Sequence, residues 1–186
     1  MLSETMAQYS ALMVMKETYP TEMMQKFLKF EMNSYLRGRS GEQKKEQPLE
    51  LVERQGYIHY RKGAVVMYAL QDYISEDSVN VALQRCIKDW AYRDDQYITS
   101  ADLLGYFREV TPDTLQYLIK DMFETITLFE NRAKEATYTE SGDEYLVDID
   151  ISSIKYRADS LGNETAIEVN DWIDIGVYGE DEGDRR

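Results

Sequence analysis

The hydrophobic period of this chain changes once, near Ile126, and that change limits what each part can fold into. Before it, apolar residues recur at helical spacing, as Met24, Leu28 and Met32 do at i, i+4 and i+8. After it, Tyr145, Val147, Ile149 and Ile151 alternate with Leu146, Asp148, Asp150 and Ser152, the period of a half-buried strand. The expected class is α+β: a helical bundle followed by a small, incomplete antiparallel β segment.

Start and stop signals divide the helical part. Ser3 to Tyr19 is apolar on nearly all sides, as in a helix buried within a larger domain, and Pro20 ends it because proline cannot extend a helix interior. A second helix is predicted from Thr21 to Arg37, and the polar stretch from Arg37 to Pro48 reads as a mobile loop. Tyr60 leads into a helix that ends near Ile74. Ser75-Glu76-Asp77 then supplies a capping hydroxyl and two carboxylates for the positive end of the next helix. Thr99-Ser100-Ala101-Asp102 has capping-box spacing, and Thr111-Pro112-Asp113 puts proline at a first helical position. These signals predict a bundle of about six helices.

In the β part, a strand is predicted around Ala136 to Thr139, with a turn at Ser141-Gly142-Asp143 and another at Leu161-Gly162-Asn163. Ile167, Val169, Trp172, Ile173, Ile175 and Val177 supply a third strand region, and Gly183 to Arg186 reads as frayed. Three strands with exposed edges suggest the start of a larger β domain.

Charge excludes some partners. The 186 residues carry 21 Lys and Arg against 35 Asp and Glu, a net charge of -14 that phosphate backbones repel. From Lys134 to Arg186 there are 15 acidic and 5 basic residues, so the sheet's outer face is expected to be acidic. The longest uncharged apolar run, Ala64 to Leu70, is far too short to cross a membrane. Cys86 is the single cysteine and lies in the apolar phase of a predicted helix, where a buried, inert thiol is expected.

Two short stretches carry chemistry. Leu2-Ser3-Glu4-Thr5-Met6-Ala7-Gln8-Tyr9 resembles the L-N-E-G-x-A-x-Y helix of the aminopeptidase N family of zinc peptidases, the gluzincins, and departs from it at Ser3 and Thr5. Tyr60-Arg61-Lys62-Gly63-Ala64 matches that family's Y-x-K-G-A pattern at every specified position. The wording of both stretches is also similar to bacterial versions fused to a transporter permease.

The resemblance implies that residues 1–126 are the helical, C-terminal half of a thermolysin-like catalytic domain, and that 127–186 open a following β domain. It implies Glu4 as a zinc ligand and Tyr60 as donor to the oxyanion of a tetrahedral intermediate; Tyr57, three residues before Tyr60, is expected to line the same cleft. His59 is the sole histidine, so the H-E-x-x-H helix and the G-x-M-E-N stretch are both absent. His59 itself reads as structural or surface, because alternation would point it away from Tyr60. A complete enzyme of this kind would remove N-terminal residues from peptides with zinc. This chain, with one ligand of three, is expected to hold no zinc tightly and to be inactive alone. Its expected partners are peptide substrates in the complete enzyme, the remainder of the catalytic domain, and a second copy of the chain through the exposed interface. The alternative is a non-catalytic interaction module derived from the peptidase fold.

Overall fold

The computed structural model describes residues 2–142 and 144–177, so the predicted frayed end at Gly183 to Arg186 lies outside the described residues. The architecture is α+β: six α-helices and a three-stranded antiparallel sheet of order β1-β2-β3. The helices are α1 (Leu2–Thr18), α2 (Thr21–Ser40), α3 (Gly63–Ile74), α4 (Glu76–Trp90), α5 (Ser100–Val110) and the short α6 (Gln116–Ile119). A π-helical turn, Tyr57–Lys62, leads directly into α3, and a second, Lys120–Glu124, follows α6. The strands are β1 (Ile126–Ser141), β2 (Glu144–Ala158) and β3 (Glu164–Ile167). The chain divides into two compact units: its start to Leu128 with Tyr156–Thr165, and Phe129–Lys155 with the stretch from Ala166 onward.

In the first unit α3 is the central helix. Gly63, Val66, Met67, Leu70, Gln71 and Ile74 are buried at helical spacing, with Ala64 buried beside them. The main core joins Val66, Met67, Leu70 and Ile74 to Leu2 and Tyr9 of α1, Val79, Ala82 and Cys86 of α4, Leu103, Leu104 and Phe107 of α5, and Ile119 and Phe123, while Ala64 packs with Leu12 and Met24. The only polar residue in the α3 stripe is satisfied, since the Tyr9 hydroxyl donates to Gln71 Oε1 at 2.7 Å. Burial, with the charge of Glu76 nearby, pushes the Tyr9 phenol up to about 12. Cys86 is buried as expected, and burial raises its thiol pKa.

The caps explain several helix boundaries. Thr99 and Asp102 form both halves of a capping box, with Thr99 N–H donating to Asp102 Oδ2 at 2.8 Å and Asp102 N–H to Thr99 Oγ1 at 3.2 Å. Ser75 caps α4 by accepting from Ser78 N–H at 3.2 Å. Pro112 precedes only a short 3-10 turn, Asp113–Leu115, before α6.

The structure corrects four expectations. Helix α1 buries one stripe only, Leu2, Thr5, Tyr9 and Leu12, and leaves Val14 67% exposed. Helix α2 continues to Ser40, and its buried positions are Met24, Glu31 and Tyr35, while Met32 is exposed. The stretch up to Pro48, read as a mobile loop, contains a buried carboxylate, Glu46, that accepts from Tyr35 Oη and Arg39 Nε at 2.9 Å each. The predicted third strand shrinks to Glu164–Ile167, and residues 168–177 lie outside the sheet with Trp172, Ile173, Ile175 and Val177 exposed.

In the second unit β1 and β2 form a long ribbon. Tyr145, Leu146, Val147 and Asp148 are all exposed, so this part of β2 has no buried face despite its alternating sequence. Lys155 is anchored by Asp171, with Nζ at 2.7 and 3.0 Å from the two carboxylate oxygens, and lies 5.4 Å from the Phe129 ring centroid.

Candidate functional site

The π-helical turn is the element on which the candidate site is built. Gly63 N–H reaches back to Ile58 C=O, one residue further than an α-turn would, and such widened turns recur at functional positions. The turn buries Ile58, His59 and Lys62 and leaves Tyr60 37% exposed.

Two close approaches lock it between α1 and α2. A Cβ at Gly63 would stand 2.4 Å from Thr5 Oγ1, and one at Gly38 would stand 2.3 Å from Tyr57 Cβ. Only glycine permits these separations. On the α1 side, Thr5 Oγ1 donates to the His59 carbonyl at 2.7 Å, a buried hydrogen bond. Thr5 departs from the glycine of the resembled pattern, and its side chain fills the space that Gly63 leaves.

Glu4 lies in the first turn of α1, next to Thr5. The Glu4 carboxylate acts on the Tyr60 phenol and, with some burial, raises its pKa above its ordinary value, which puts the two side chains near each other. Glu4 and Tyr60, the ligand and oxyanion donor expected from the resemblance, are thus brought together.

Tyr57 is placed elsewhere. Its ring stacks on Tyr35 at 6.2 Å and 18°, and its hydroxyl donates to Glu42 Oε2 at 3.2 Å. Burial and the charges of Glu46 and Glu42 hold its phenol well above the usual range.

His59 departs from expectation. A π-turn has no strand alternation, so its ring meets the Tyr60 ring edge-on, at 4.6 Å and 75°, instead of pointing away. The residue is 8% exposed and Nδ1 has no hydrogen-bond partner. Burial lowers its pKa, partly offset by the charge of Glu4, so the imidazole is neutral at pH 7.

Three buried charges near the turn escape sequence reasoning: Glu31, Glu46 and Lys62. Lys62 Nζ lies 5.6 Å from the Tyr35 ring centroid and has no hydrogen-bond partner. Burial drives its pKa down to about 8, against the opposing charge of Glu46. For Glu31 a signal existed. It falls at i+7 from Met24 and i−4 from Tyr35, a charge in the phase of the buried face.

Catalytic zinc normally takes three protein ligands. Among the described residues no three His, Cys, Asp or Glu side chains are grouped to hold a metal ion. No helix among the described residues is long and apolar enough to cross a membrane. No protein-family model matches the chain, and searches of curated proteins and of solved structures find no match.

Proposed function

We propose that this chain is the C-terminal half of the catalytic domain of an aminopeptidase N-like zinc peptidase. The observation that carries the reading is that the two motif stretches pack together, with Thr5 Oγ1 donating to the His59 carbonyl at 2.7 Å and the Glu4 carboxylate acting on the Tyr60 phenol. Two short stretches from separate elements, one matching that family's pattern and one resembling it with departures at Ser3 and Thr5, come together as a shared active site would need. In the complete enzyme Glu4 would supply one zinc ligand, and the other ligands and the general base would come from residues this chain lacks. Zinc would supply Lewis acidity toward a peptide carbonyl. Tyr60 would stay neutral at physiological pH, because its pKa is raised, and its phenol would donate to the oxyanion as charge develops.

The test is to read the gene upstream of the Met1 codon and express the extended protein. An in-frame H-E-x-x-H, together with cleavage of an aminoacyl p-nitroanilide that falls about 100- to 1,000-fold in kcat in Tyr60→Phe, supports the reading. A closed frame, or one without those histidines, overturns it.

A second reading, a non-catalytic interaction module, is favoured by the apolar side chains uncovered on α1 and α2: Val14, Phe30 and Leu36 are 67%, 58% and 47% exposed. It predicts a protein that binds a partner or a second copy and that shows no hydrolysis even with its upstream sequence restored.

A further inference from the structure

Glu31 of α2 is 5% exposed, yet it carries a carboxylate. That carboxylate takes hydrogen bonds from two other elements. Gln8 Nε2 donates to Oε1 at 3.0 Å, and an Arg61 terminal nitrogen reaches both Oε1 and Oε2 at 3.0 Å. The origin of those donors matters. Gln8 lies four residues after Glu4 on α1, hence on the same helix face. Arg61 directly follows Tyr60 in the π-turn, and its guanidinium lies 5.3 Å from the Phe30 ring centroid, which fixes its direction.

We propose that Glu31 is a positioning residue: by holding Gln8 and Arg61 at once, it sets the separation between Glu4 and Tyr60. Without that carboxylate, the Gln8 amide and the Arg61 guanidinium lose their shared acceptor. The Thr5 to His59 carbonyl bond then remains between the turn and α1, without the Glu31 bridge beside it. The close approaches at Gly38 and Gly63 still hold the backbone of the turn, so the freedom gained falls on its exposed side, where Tyr60 lies. A glutamine substitutes only in part: it keeps one acceptor oxygen, sets a donor against the Arg61 nitrogen in place of the second and removes the charge that holds the guanidinium. The inference rests on the proposed peptidase reading only for the use made of Tyr60, because the clamp exists in the chain as it stands.

The test places 3-fluorotyrosine at position 60 of this chain and follows its fluorine resonance at neutral pH, beside urea unfolding. Glu4→Gln provides the reference for a phenol without its carboxylate partner. Glu31→Gln should shift the resonance toward that reference, and Arg61→Lys should restore most of the wild-type position. Phe107→Leu, a core change on α5, should lower the unfolding midpoint without moving the resonance. Should Glu31→Gln fail to fold, Arg61→Met decides, since that side chain is 37% exposed and Gln8 remains as a donor to the Glu31 carboxylate. A Glu31→Gln or Arg61→Met chain that is less stable but keeps the wild-type resonance would overturn the proposal and leave Glu31 a structural brace. Neither zinc nor activity enters the readout, so failure of the clamp and failure of the peptidase reading are told apart.

Discussion

Replacing Lys62 with methionine should stabilise the protein at neutral pH, and the gain should shrink as pH rises. The folded chain lowers the Lys62 pKa from 10.5 to about 8, because Nζ is buried without a hydrogen-bond partner and Glu46 only partly compensates. Between those two values the unfolded chain binds more protons than the folded one, so wild-type stability rises with pH across that window. Below it, the cost of keeping Lys62 charged in the core is fully present, about 3 kcal/mol at 1.36 kcal/mol per pH unit. Methionine has similar length, no charge and no titration, so Lys62→Met should be up to about 3 kcal/mol more stable at pH 7. Glu46 keeps Tyr35 and Arg39 as donors, so removing Lys62 strands no carboxylate. By pH 9.5 the wild type should have regained about 2 kcal/mol on the variant, by integrating the same linkage relation. Other titrating groups, the tyrosines above all, are common to both chains and cancel in the difference. The assay is urea unfolding followed by the helical circular-dichroism signal at pH 7 and 9.5, with equal slopes required of both chains. A difference that stays constant with pH, or a variant weaker than wild type at both values, would refute the argument.

Three further outcomes are expected. Gly63→Ala should cost about 1–3 kcal/mol by overpacking against Thr5 and should cost less in a Thr5→Ala background, measured as a double-mutant cycle in urea. Thr99→Ala removes one half of the capping box on α5 and should lower stability by about 1 kcal/mol, whereas Thr99→Ser should be near neutral. Phe107→Ala deletes a fully buried ring whose centroid lies 6.0 Å from that of Phe123; a loss of about 3–5 kcal/mol is expected, and a change below 1 would show that the site collapses freely.

Caps made the helical part legible. Thr99, Ser75 and Pro20 act through local backbone chemistry, so their sequence signals hold in any tertiary setting. The ribbon was less legible because burial writes the alternating pattern. Where β1 and β2 bury neither face, only strand propensity remains, and β1 extends far beyond the stretch around Ala136 to Thr139. Trp172, Ile173 and Ile175 show the converse: apolar content suggested a strand that the sheet does not include. At the candidate site, motif spacing singled out Glu4 and Tyr60 and could not show that they meet. His59 was misdirected because strand geometry was assumed for a π-turn. Glu31, Glu46 and Lys62 were passed over because charged residues are read as solvent-facing, a habit that fails where a partner lies far along the chain.

The β1–β2 ribbon also governs how this protein should behave in a tube. Among the described residues β1 has a strand on one side only, so its outer edge offers unpaired backbone groups to any neighbour. What keeps neighbours off is charge: Glu130, Arg132, Lys134, Glu135 and Glu140 along the strand, and a net charge of -14 on the chain. That protection is colloidal and reversible. It weakens in molar salt, where the screening length falls to about 3 Å, and it vanishes near the isoelectric point of about 4.5. Ionic strength and acidity, as much as concentration, set the shelf life of a solution of this protein.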